Sequence, residues 1–263
     1  MKLAAKVSTP LNAKHAATWW TALFSVVVYG YSVLSLTSWW FFLVPNTLLF
    51  ESLAGLKLYS MDTASATDST VAALTQNFAA IFVFGFTHSL FARRSVKEWM
   101  GLPVSVERSF YCLQGAFFLH MLQKYWVEVD INTMAVWDVS AYSALCKACL
   151  GIFWLGAAIL LSTTFALDHF HLFGLSQGFG VDLNKKFGLA PQTQNSGLVS
   201  RWHYRLVAHP IMTGALTNCW ATPVMTPSRL FFALFMTAYV VSSVTKLEEP
   251  ALKKEMGKPY ICT

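Results

Sequence analysis

Charged residues are scarce in this sequence. Only 12% of the 263 residues are Asp, Glu, Lys or Arg, whereas 55% are hydrophobic and the mean hydropathy is +0.48. Soluble domains of this size carry about 25% charged residues. The deficit excludes an ordinary soluble enzyme and indicates a polytopic integral membrane protein.

Six long stretches contain no Asp, Glu, Lys or Arg. They are residues 15–50, 69–92, 109–123, 148–167, 206–228 and 230–245. Because a charge at mid-membrane costs about 2.5–3.5 kcal/mol on insertion scales, these stretches mark candidate transmembrane helices. The two shortest reach the usual span length if Lys124 and Arg229 extend their charges to the interface. The sequence therefore predicts an all-α membrane bundle of about six helices, at about 17–36, 71–91, 108–127, 145–166, 207–222 and 229–247.

The basic residues are distributed unequally between the two sides of this bundle. With the N-terminus in the cytoplasm, fifteen of the nineteen Lys and Arg residues fall on that side; the others are Lys57, Lys124, Lys147 and Arg229. This asymmetry predicts that both termini are cytoplasmic. We expect a polar tail over residues 1–16 and one membrane domain over 17–263. No acidic residue precedes Glu51, so an organelle-targeting segment stays open as an alternative.

Several motifs of soluble enzymes are missing. The one G-x-G, Gly178 to Gly180, follows no predicted strand, and there is no phosphate loop or G-x-S-x-G. These absences argue against a Rossmann cofactor site and a serine hydrolase. The spacing of His169, His171 and His203 fits no standard metal set, so no metal is predicted. Cys146 and Cys149 have no matching second pair and are interpreted as buried thiols.

Ionisable residues gather instead at the predicted cytoplasmic ends of the last three helices. The tight "TPVMTPS" turn makes the last two helices a hairpin that returns Glu248 and Glu249 to the face of His209. The group consists of Asp168, His169, His171, Arg201, His203, Tyr204, Arg205, His209, Glu248 and Glu249. Ionisable groups beside hydrocarbon are functional candidates, because their desolvation must be offset by partners or a ligand. The alternative is an interfacial belt beside lipid headgroups.

Several segments resemble one family of membrane enzymes. The C-terminal half resembles the isoprenylcysteine-carboxyl-methyltransferase-like enzymes in "YRLVAHPIMTG", "CWATPVMTPSRLFFALFMTAYV" and "KLEEPALKKEMGKPY". Within that group, methanethiol S-methyltransferases are most similar, on "VPNTLLFES", "THSLFARRSVKEWM", "VERSFYCL", "VWDV" and "LSTTFALDHFHLFGLSQ". The resemblance covers most of residues 20–260.

The resemblance implies a site for S-adenosylmethionine at the cytoplasmic mouth. His209 and Pro210 match the family's R-H-P motif, and Glu248 and Glu249 match its paired glutamates. By the same resemblance, Tyr204, Arg205 and Gly214 flank the cofactor, and Tyr260 matches a terminal tyrosine region. The chain departs from the pattern at Ala208, which stands where the family usually has arginine.

The implied reaction is S-methylation of a small thiol, with methanethiol giving dimethyl sulfide. Such a displacement needs alignment, a dry site and a thiolate. We expect His169, oriented by Asp168, to accept the thiol proton, with His209 as second choice. The expected partners are a volatile thiol and the lipid bilayer, without nucleic acid. The alternatives are methylation of a prenylated cysteine carboxylate, and a transporter or non-catalytic membrane subunit.

Overall fold

The computed structural model describes residues 17–44, 59–61, 65–66, 69–129, 135–189 and 202–248. In these ranges the chain is predominantly helical, as predicted. The helices are α1 (Trp19–Leu43), α2 (Thr70–Ala92), α3 (Arg94–Met100), α4 (Val104–Lys124), α5 (Ser143–Leu167), α6 (His169–Leu172), α7 (Leu175–Phe179), α8 (Leu183–Lys186), α9 (Pro210–Trp220) and α10 (Pro227–Ser243). A 3₁₀ helix covers Trp202–Arg205, and a π-helical turn, Val244–Glu248, continues α10.

Four described helices are long and apolar enough to cross a membrane: α1, α2, α5 and the stretch Pro227–Lys246. The predicted count of six is therefore not confirmed. Helix α4 has 21 residues, but it carries Glu107, Arg108 and Lys124 and is less apolar than those four. Helix α9 has only 11 residues, which span about 16 Å at 1.5 Å per residue. It is too short to cross a bilayer alone.

Local sequence signals set several helix boundaries. Thr18 forms a capping box with Thr21 at the start of α1, and Ser69 caps α2 through the Ala72 N–H. Thr226 caps α10, whose first helical position is Pro227. The predicted first span proves longer than expected, because helix continues through the aromatic stretch to Leu43.

One end of the bundle, called here the strand end, carries two small sheets. Strands β1 (Ser65–Ala66) and β2 (Val127–Glu128) pair in parallel, and β3 (Trp137–Asp138) and β4 (Val224–Met225) pair antiparallel. The main hydrophobic core packs beneath them, with its largest buried side chains from α1, α5, α10 and the segment after α4: Trp39, Phe42, Trp126, Phe153 and Phe232. These contacts fix the relative positions of helices distant in sequence.

Helices α5 and α9 cross closely because small residues face each other. A Cβ at Gly214 would lie 2.6 Å from the Gly156 carbonyl oxygen, and one at Gly156 would lie 2.9 Å from Thr217. One turn further on, the Asn218 amide donates to the Phe153 carbonyl oxygen at 2.6 Å. This backbone approach is typical of membrane helix pairs, and it holds α9 along α5.

The opposite end carries residues 168–189, called here the cap segment, which comprises α6, α7 and α8. It packs along α1, where the Thr21 hydroxyl donates to the Gly178 carbonyl at 2.9 Å. It also packs on the start of α4: a Cβ at Gly174 would lie 2.6 Å from the Ser109 backbone nitrogen. Gly174 has a φ of 87°, so glycine satisfies both the turn and the contact.

Candidate functional site

His169 lies at the junction of α5 and the cap segment, where its side chain is buried with only 3% exposed. Its Nε2 is 2.9 Å from the Tyr29 hydroxyl of α1, and its Nδ1 is 2.7 Å from the Thr164 hydroxyl of α5. Ala17, at the start of the segment that leads into α1, adjoins Gly180 of the cap segment. Tyr29 lies twelve residues further on, a distance of about 18 Å at helical rise. The imidazole therefore lies inside the bundle and joins three of its elements.

The hydrogen-bond network assigns the tautomer of this imidazole. The Thr164 hydroxyl donates its hydrogen to the Leu161 carbonyl oxygen at 2.7 Å. Thr164 must then accept from His169, which places the ring hydrogen on Nδ1. Nε2 is left as an acceptor, and the Tyr29 hydroxyl donates to it. His169 is thus held as a neutral base whose lone pair points at Tyr29.

The surroundings of His169 favour this neutral state. Its ring stacks on Phe165 with centroids 4.1 Å apart, and the rings of Phe170 and Phe173 lie within 5.4 Å. Burial among these rings lowers the pKa of His169 to about 4, because the imidazolium would lose its hydration. His169 lies outside the four candidate spans, and it is uncharged at neutral pH.

Asp168 does not orient His169, contrary to the expected pairing. Its carboxylate accepts from the His171 backbone N–H at 3.1 Å and so caps α6. Burial raises the pKa of Asp168, partly offset by that hydrogen bond and by His171. Asp168 also has a φ of 139°, which is strained for a residue other than glycine. Thr164 and Tyr29, which the sequence analysis did not single out, hold the imidazole instead.

Helix α9 packs on the face of α5 that also holds this imidazole. Leu160 of α5, which contacts Gly214, and Thr164, which binds His169, are four residues apart and share one face of α5. His169 and the start of α9 therefore lie along the same face of α5. His209 is the N-cap residue, and Pro210, which is buried, occupies the first turn. The His209 side chain makes no capping hydrogen bond to the first turn of α9.

The other predicted cofactor residues have different placements. Tyr204 is half-buried in the 3₁₀ helix, which is fixed to α5 by His203 Nε2 at 2.8 Å from the Ser162 hydroxyl. Arg205 and Glu248 are described by backbone alone: Arg205 ends the 3₁₀ helix and Glu248 ends the π-helical turn. Glu249 and Tyr260 lie outside the described residues. Gly214 is packed against the backbone of α5, so the structure gives it a role in helix crossing.

A second polar cluster joins α2, α4 and the cap segment. The Tyr111 hydroxyl is 3.0 Å from His88 Nε2, and the Arg108 guanidinium lies over the Tyr111 ring, 5.0 Å from its centroid. Arg108 also donates from Nε to the Leu172 carbonyl oxygen at 2.6 Å. Lys97 forms an ion pair with Glu107 at 3.0 Å. This cluster holds the cap segment against α4.

An apolar cleft of about 250 Å³ lies between α2 and α10. Its lining is almost entirely hydrocarbon and aromatic, with one polar pair, in which the Ser89 and Tyr239 hydroxyls are 3.0 Å apart. Gly85 leaves the space that the Tyr239 ring occupies. Both helices are candidate spans, so the cleft lies at membrane depth.

No metal centre is evident in the part of the chain that the structure describes. Within it, no three His, Cys, Asp or Glu side chains come together as a ligand set. Of the three histidines considered from the sequence, His169 has both ring nitrogens bonded to hydroxyl groups.

The signal for Tyr29 and Thr164 was weak at the level of sequence. Helix α1 contains many hydroxyl residues, and Thr164 is one of several in the "LSTTF" stretch. A pattern cannot tell which hydroxyl of such a series meets an imidazole 140 residues away. His169 was recognisable because it is an ionisable group at the end of an apolar span.

Comparison with known proteins gives relatives of similar length. The chain is 36% identical over 203 residues to methanethiol S-methyltransferase 2 of Bradyrhizobium diazoefficiens, covering 76% of this chain and 73% of the relative. It is 35% identical over 190 residues to methanethiol S-methyltransferase of Mycobacterium tuberculosis, covering 72% and 73%. It is 32% identical over 229 residues to the methanethiol S-methyltransferase of a Pseudomonas species, covering 86% of this chain and 84% of the relative.

A more distant similarity is to nurim of Xenopus laevis, at 32% identity over 191 residues, covering 69% of this chain and 64% of nurim. No family model matches the chain, and no solved structure matches it. The bacterial relatives exceed 30% identity over more than two thirds of their length, and the apolar helical bundle is consistent with them. The chain belongs to the methanethiol S-methyltransferase family.

Proposed function

We propose that this protein transfers a methyl group from S-adenosylmethionine to a small thiol, with methanethiol giving dimethyl sulfide. The observation that carries the proposal is the similarity to several methanethiol S-methyltransferases over more than two thirds of their length. The geometry adds a neutral imidazole buried inside an apolar bundle. The neutral imidazole suits a reaction that needs a proton acceptor, and its burial suits a site from which water is excluded.

The start of α9 suits the carboxylate of the cofactor. The first N–H groups of a helix lack partners within the helix and favour an anion, and here the N-cap residue, His209, makes no side-chain capping hydrogen bond to them. We assign the methionine portion to this terminus, with His209, Pro210, Tyr204 and Arg205 around it. Glu248 and Glu249 would bind the amino group or ribose, and Tyr260 would complete the pocket. When bound, the cofactor supplies an electrophilic methyl group on a positively charged sulfur.

His169 is the proton acceptor in this proposal, and Tyr29 and Thr164 orient it. The aromatic rings around it exclude water, which leaves the thiol sulfur less solvated and more nucleophilic. Asp168 has a structural part, because its carboxylate caps α6 and fixes the start of the cap segment. His209 is the alternative acceptor, since it adjoins the same face of α5.

The membrane setting suits a small apolar substrate. We propose that both termini are cytoplasmic and that residues 17–263 form one membrane domain. The thiol then enters from the lipid through the cleft between α2 and α10, while the charged cofactor enters from water. The lining of the cleft favours a neutral thiol over an ion, because an ion would lose its hydration there.

The test uses the purified full-length protein in lipid vesicles with S-adenosylmethionine and methanethiol, and it measures dimethyl sulfide in the headspace. We expect turnover by the intact protein and a fall of about 10²- to 10⁴-fold for His169→Ala. The matched control is His120→Ala. His120 lies in α4 and contacts the rings of Tyr31 and Tyr59. Its variant should keep full turnover.

A parallel binding measurement examines the cofactor site. Glu248→Ala should weaken S-adenosylmethionine binding, whereas His169→Ala should leave it unchanged. If the intact protein binds the cofactor but releases no dimethyl sulfide, the acceptor is wrong, and a prenylated cysteine is the next to assay. If it binds no cofactor at all, the methyltransferase proposal fails and a transporter or non-catalytic subunit replaces it.

A further inference from the structure

The Tyr29 hydroxyl stands at one end of a chain of three hydrogen-bonding groups. Its hydrogen is committed to His169 Nε2 at 2.9 Å, the His169 Nδ1 hydrogen to Thr164, and the Thr164 hydrogen to the Leu161 carbonyl. Every donor among these three groups is used. The Tyr29 oxygen therefore presents only acceptor lone pairs to whatever approaches it.

This arrangement leaves His169 without direct access to a substrate. Its side chain is 3% exposed, its Nε2 lone pair is occupied by Tyr29, and Phe165 covers one face of its ring. Tyr29 is only partly buried. Among the described groups that bond to the imidazole, the Tyr29 hydroxyl holds the Nε2 lone pair, so a thiol that contacts this hydroxyl can pass its proton on to His169.

We propose that Tyr29 is a catalytic residue, whose oxygen accepts the hydrogen of the thiol and relays a proton to His169. The inference rests on the proposed methyl transfer to a small thiol and names the group that touches the reacting S–H. His169 acts through Tyr29 and is a positioning residue that receives the proton. Thr164 fixes the tautomer that makes this direction of transfer possible.

The step balances in protons and electrons. The thiol S–H bond breaks as its proton passes to the Tyr29 oxygen, while the Tyr29 O–H proton passes to His169 Nε2. The sulfur lone pair forms the new S–C bond, and the electrons of the old C–S bond stay with the departing thioether. His169 then carries one extra proton, which returns through Tyr29 to water once the product has left. Burial lowers the pKa of His169, so the imidazolium returns its proton to water at neutral pH.

Helix packing brings the elements of this relay together with α9, the helix assigned to the cofactor. Thr164 lies on the face of α5 that holds α9, and α9 also contacts α1, the helix of Tyr29. The Tyr29 ring stands edge-on to Phe173 with centroids 5.6 Å apart, and that contact fixes its direction independently of the hydroxyl. Removing the hydroxyl alone should therefore leave the ring in place.

The experiment compares Tyr29→Phe with Tyr31→Phe, which removes a hydroxyl two residues away on the same helix. In vesicles with methanethiol, we expect kcat to fall about 10²-fold or more for Tyr29→Phe, with the KM for S-adenosylmethionine unchanged. Tyr31→Phe should match the intact protein. Equal kcat values for the two variants would overturn the relay while leaving the methyltransferase proposal intact. An inactive intact protein would overturn both.

Hydrogen sulfide separates proton transfer from structural damage. In mildly alkaline buffer it is already largely ionised, and the ion can enter from the aqueous side with the cofactor instead of through the apolar cleft, so its methylation needs no proton acceptor. We expect Tyr29→Phe to methylate hydrogen sulfide at nearly the rate of the intact protein, although its reaction with methanethiol is impaired. An equal loss with both substrates would mean that the hydroxyl is structural.

A measurement without cofactor or substrate examines the tautomer directly. Nitrogen NMR of histidine-labelled protein should show His169 neutral, with its hydrogen on Nδ1, and Tyr29→Phe should shift the Nε2 resonance. His169→Ala identifies the signal. A hydrogen found on Nε2 would overturn the relay whatever the activity, because Nε2 could then accept no proton.

Discussion

The two ends of the bundle use buried polar side chains differently. At the strand end, several such side chains bond to backbone: Asn77 pairs with both the N–H and the carbonyl of Val127, and Ser228 accepts from the Val129 N–H. Arg229, buried there, donates to the Leu43 carbonyl. At the opposite end, called here the cap end because it carries the cap segment, imidazoles pair with hydroxyl groups, as in Tyr29 with His169 and Tyr111 with His88.

This difference distinguishes polar side chains that hold the fold together from those that can transfer a proton. A side chain that bonds to a backbone N–H or carbonyl takes the place of a water molecule where the backbone is irregular. Such a side chain stabilises the fold and does not need to gain or lose a proton. An imidazole paired with a hydroxyl can take up or release a proton through its partner. The strand end therefore holds the helices in register, and the cap end carries the groups suited to proton transfer. Two substitutions and a change of pH test this contrast.

The largest effect is expected at Gly174, where the cap segment meets α4. In Gly174→Ala the new Cβ would lie 2.6 Å from the Ser109 nitrogen, at a φ of 87°. We expect a loss of about 3 kcal/mol or more in the free energy of unfolding, from overpacking and backbone strain together. Thermal unfolding in detergent measures it.

Gly188→Ala is the matched control. Gly188 has a φ of 67°, but no atom lies within 4 Å of the position that a Cβ would take, so it isolates strain from collision. Its cost should be only about 1 kcal/mol. Equal losses for the two variants would show that the cap segment is not packed tightly on α4.

A smaller effect on stability is expected at the strand end. Asn77→Ala removes two hydrogen bonds, of 2.7 and 2.9 Å, and leaves the Val127 N–H and carbonyl without the Asn77 amide. We expect a loss of about 1–3 kcal/mol in the free energy of unfolding. Methyl transfer per folded molecule should stay unchanged, in contrast to His169→Ala. A loss of turnover in folded Asn77→Ala would mean that the two ends are coupled.

The last test concerns pH. Since burial lowers the folded-state pKa of His169 to about 4, the unfolded chain binds a proton first as the pH falls. The stability associated with His169 is therefore complete above about pH 6.5, declines between about 6.5 and 4, and is level below that.

The pH dependence of activity should follow the pKa of His169 in the folded protein. The acid limb of methyl transfer should lie well below pH 6, since the imidazole stays neutral there, and pH-rate profiles on intact vesicles measure this. An acid limb near pH 6.5 would instead indicate an acceptor with an ordinary histidine pKa, and would remove His169 from the reaction.

Much of the helical pattern could be predicted from the sequence. The absence of charge located α2 and α5 within about two residues of their ends, because a charge at membrane depth is costly wherever it occurs. The same criterion overcounted spans. It could not show that α9 stops after 11 residues, since Pro210 and the turn at Thr222 set its ends and the flanking residues are equally free of charge.

The site was less predictable, for a physical reason. His169 and His209 could be found as ionisable groups beside apolar helices. The partners of His169 could not, because they depend on the rotation of α1 and α5 about their axes. The expected Asp168 pairing failed for a local reason: its backbone φ of 139° turns the carboxylate towards the His171 N–H. Adjacent residues in a sequence rarely face each other once a helix ends between them.

The shortness of α9 has a consequence for the surrounding lipid. Helix α9 spans about 16 Å, whereas α5, with 25 residues, spans about 37 Å. A bilayer that matches α5 in thickness is therefore mismatched to α9, and acyl chains beside it must thin or tilt to cover the difference. Lipid chain length should therefore act on the packing around α9 without a change in any residue of the protein.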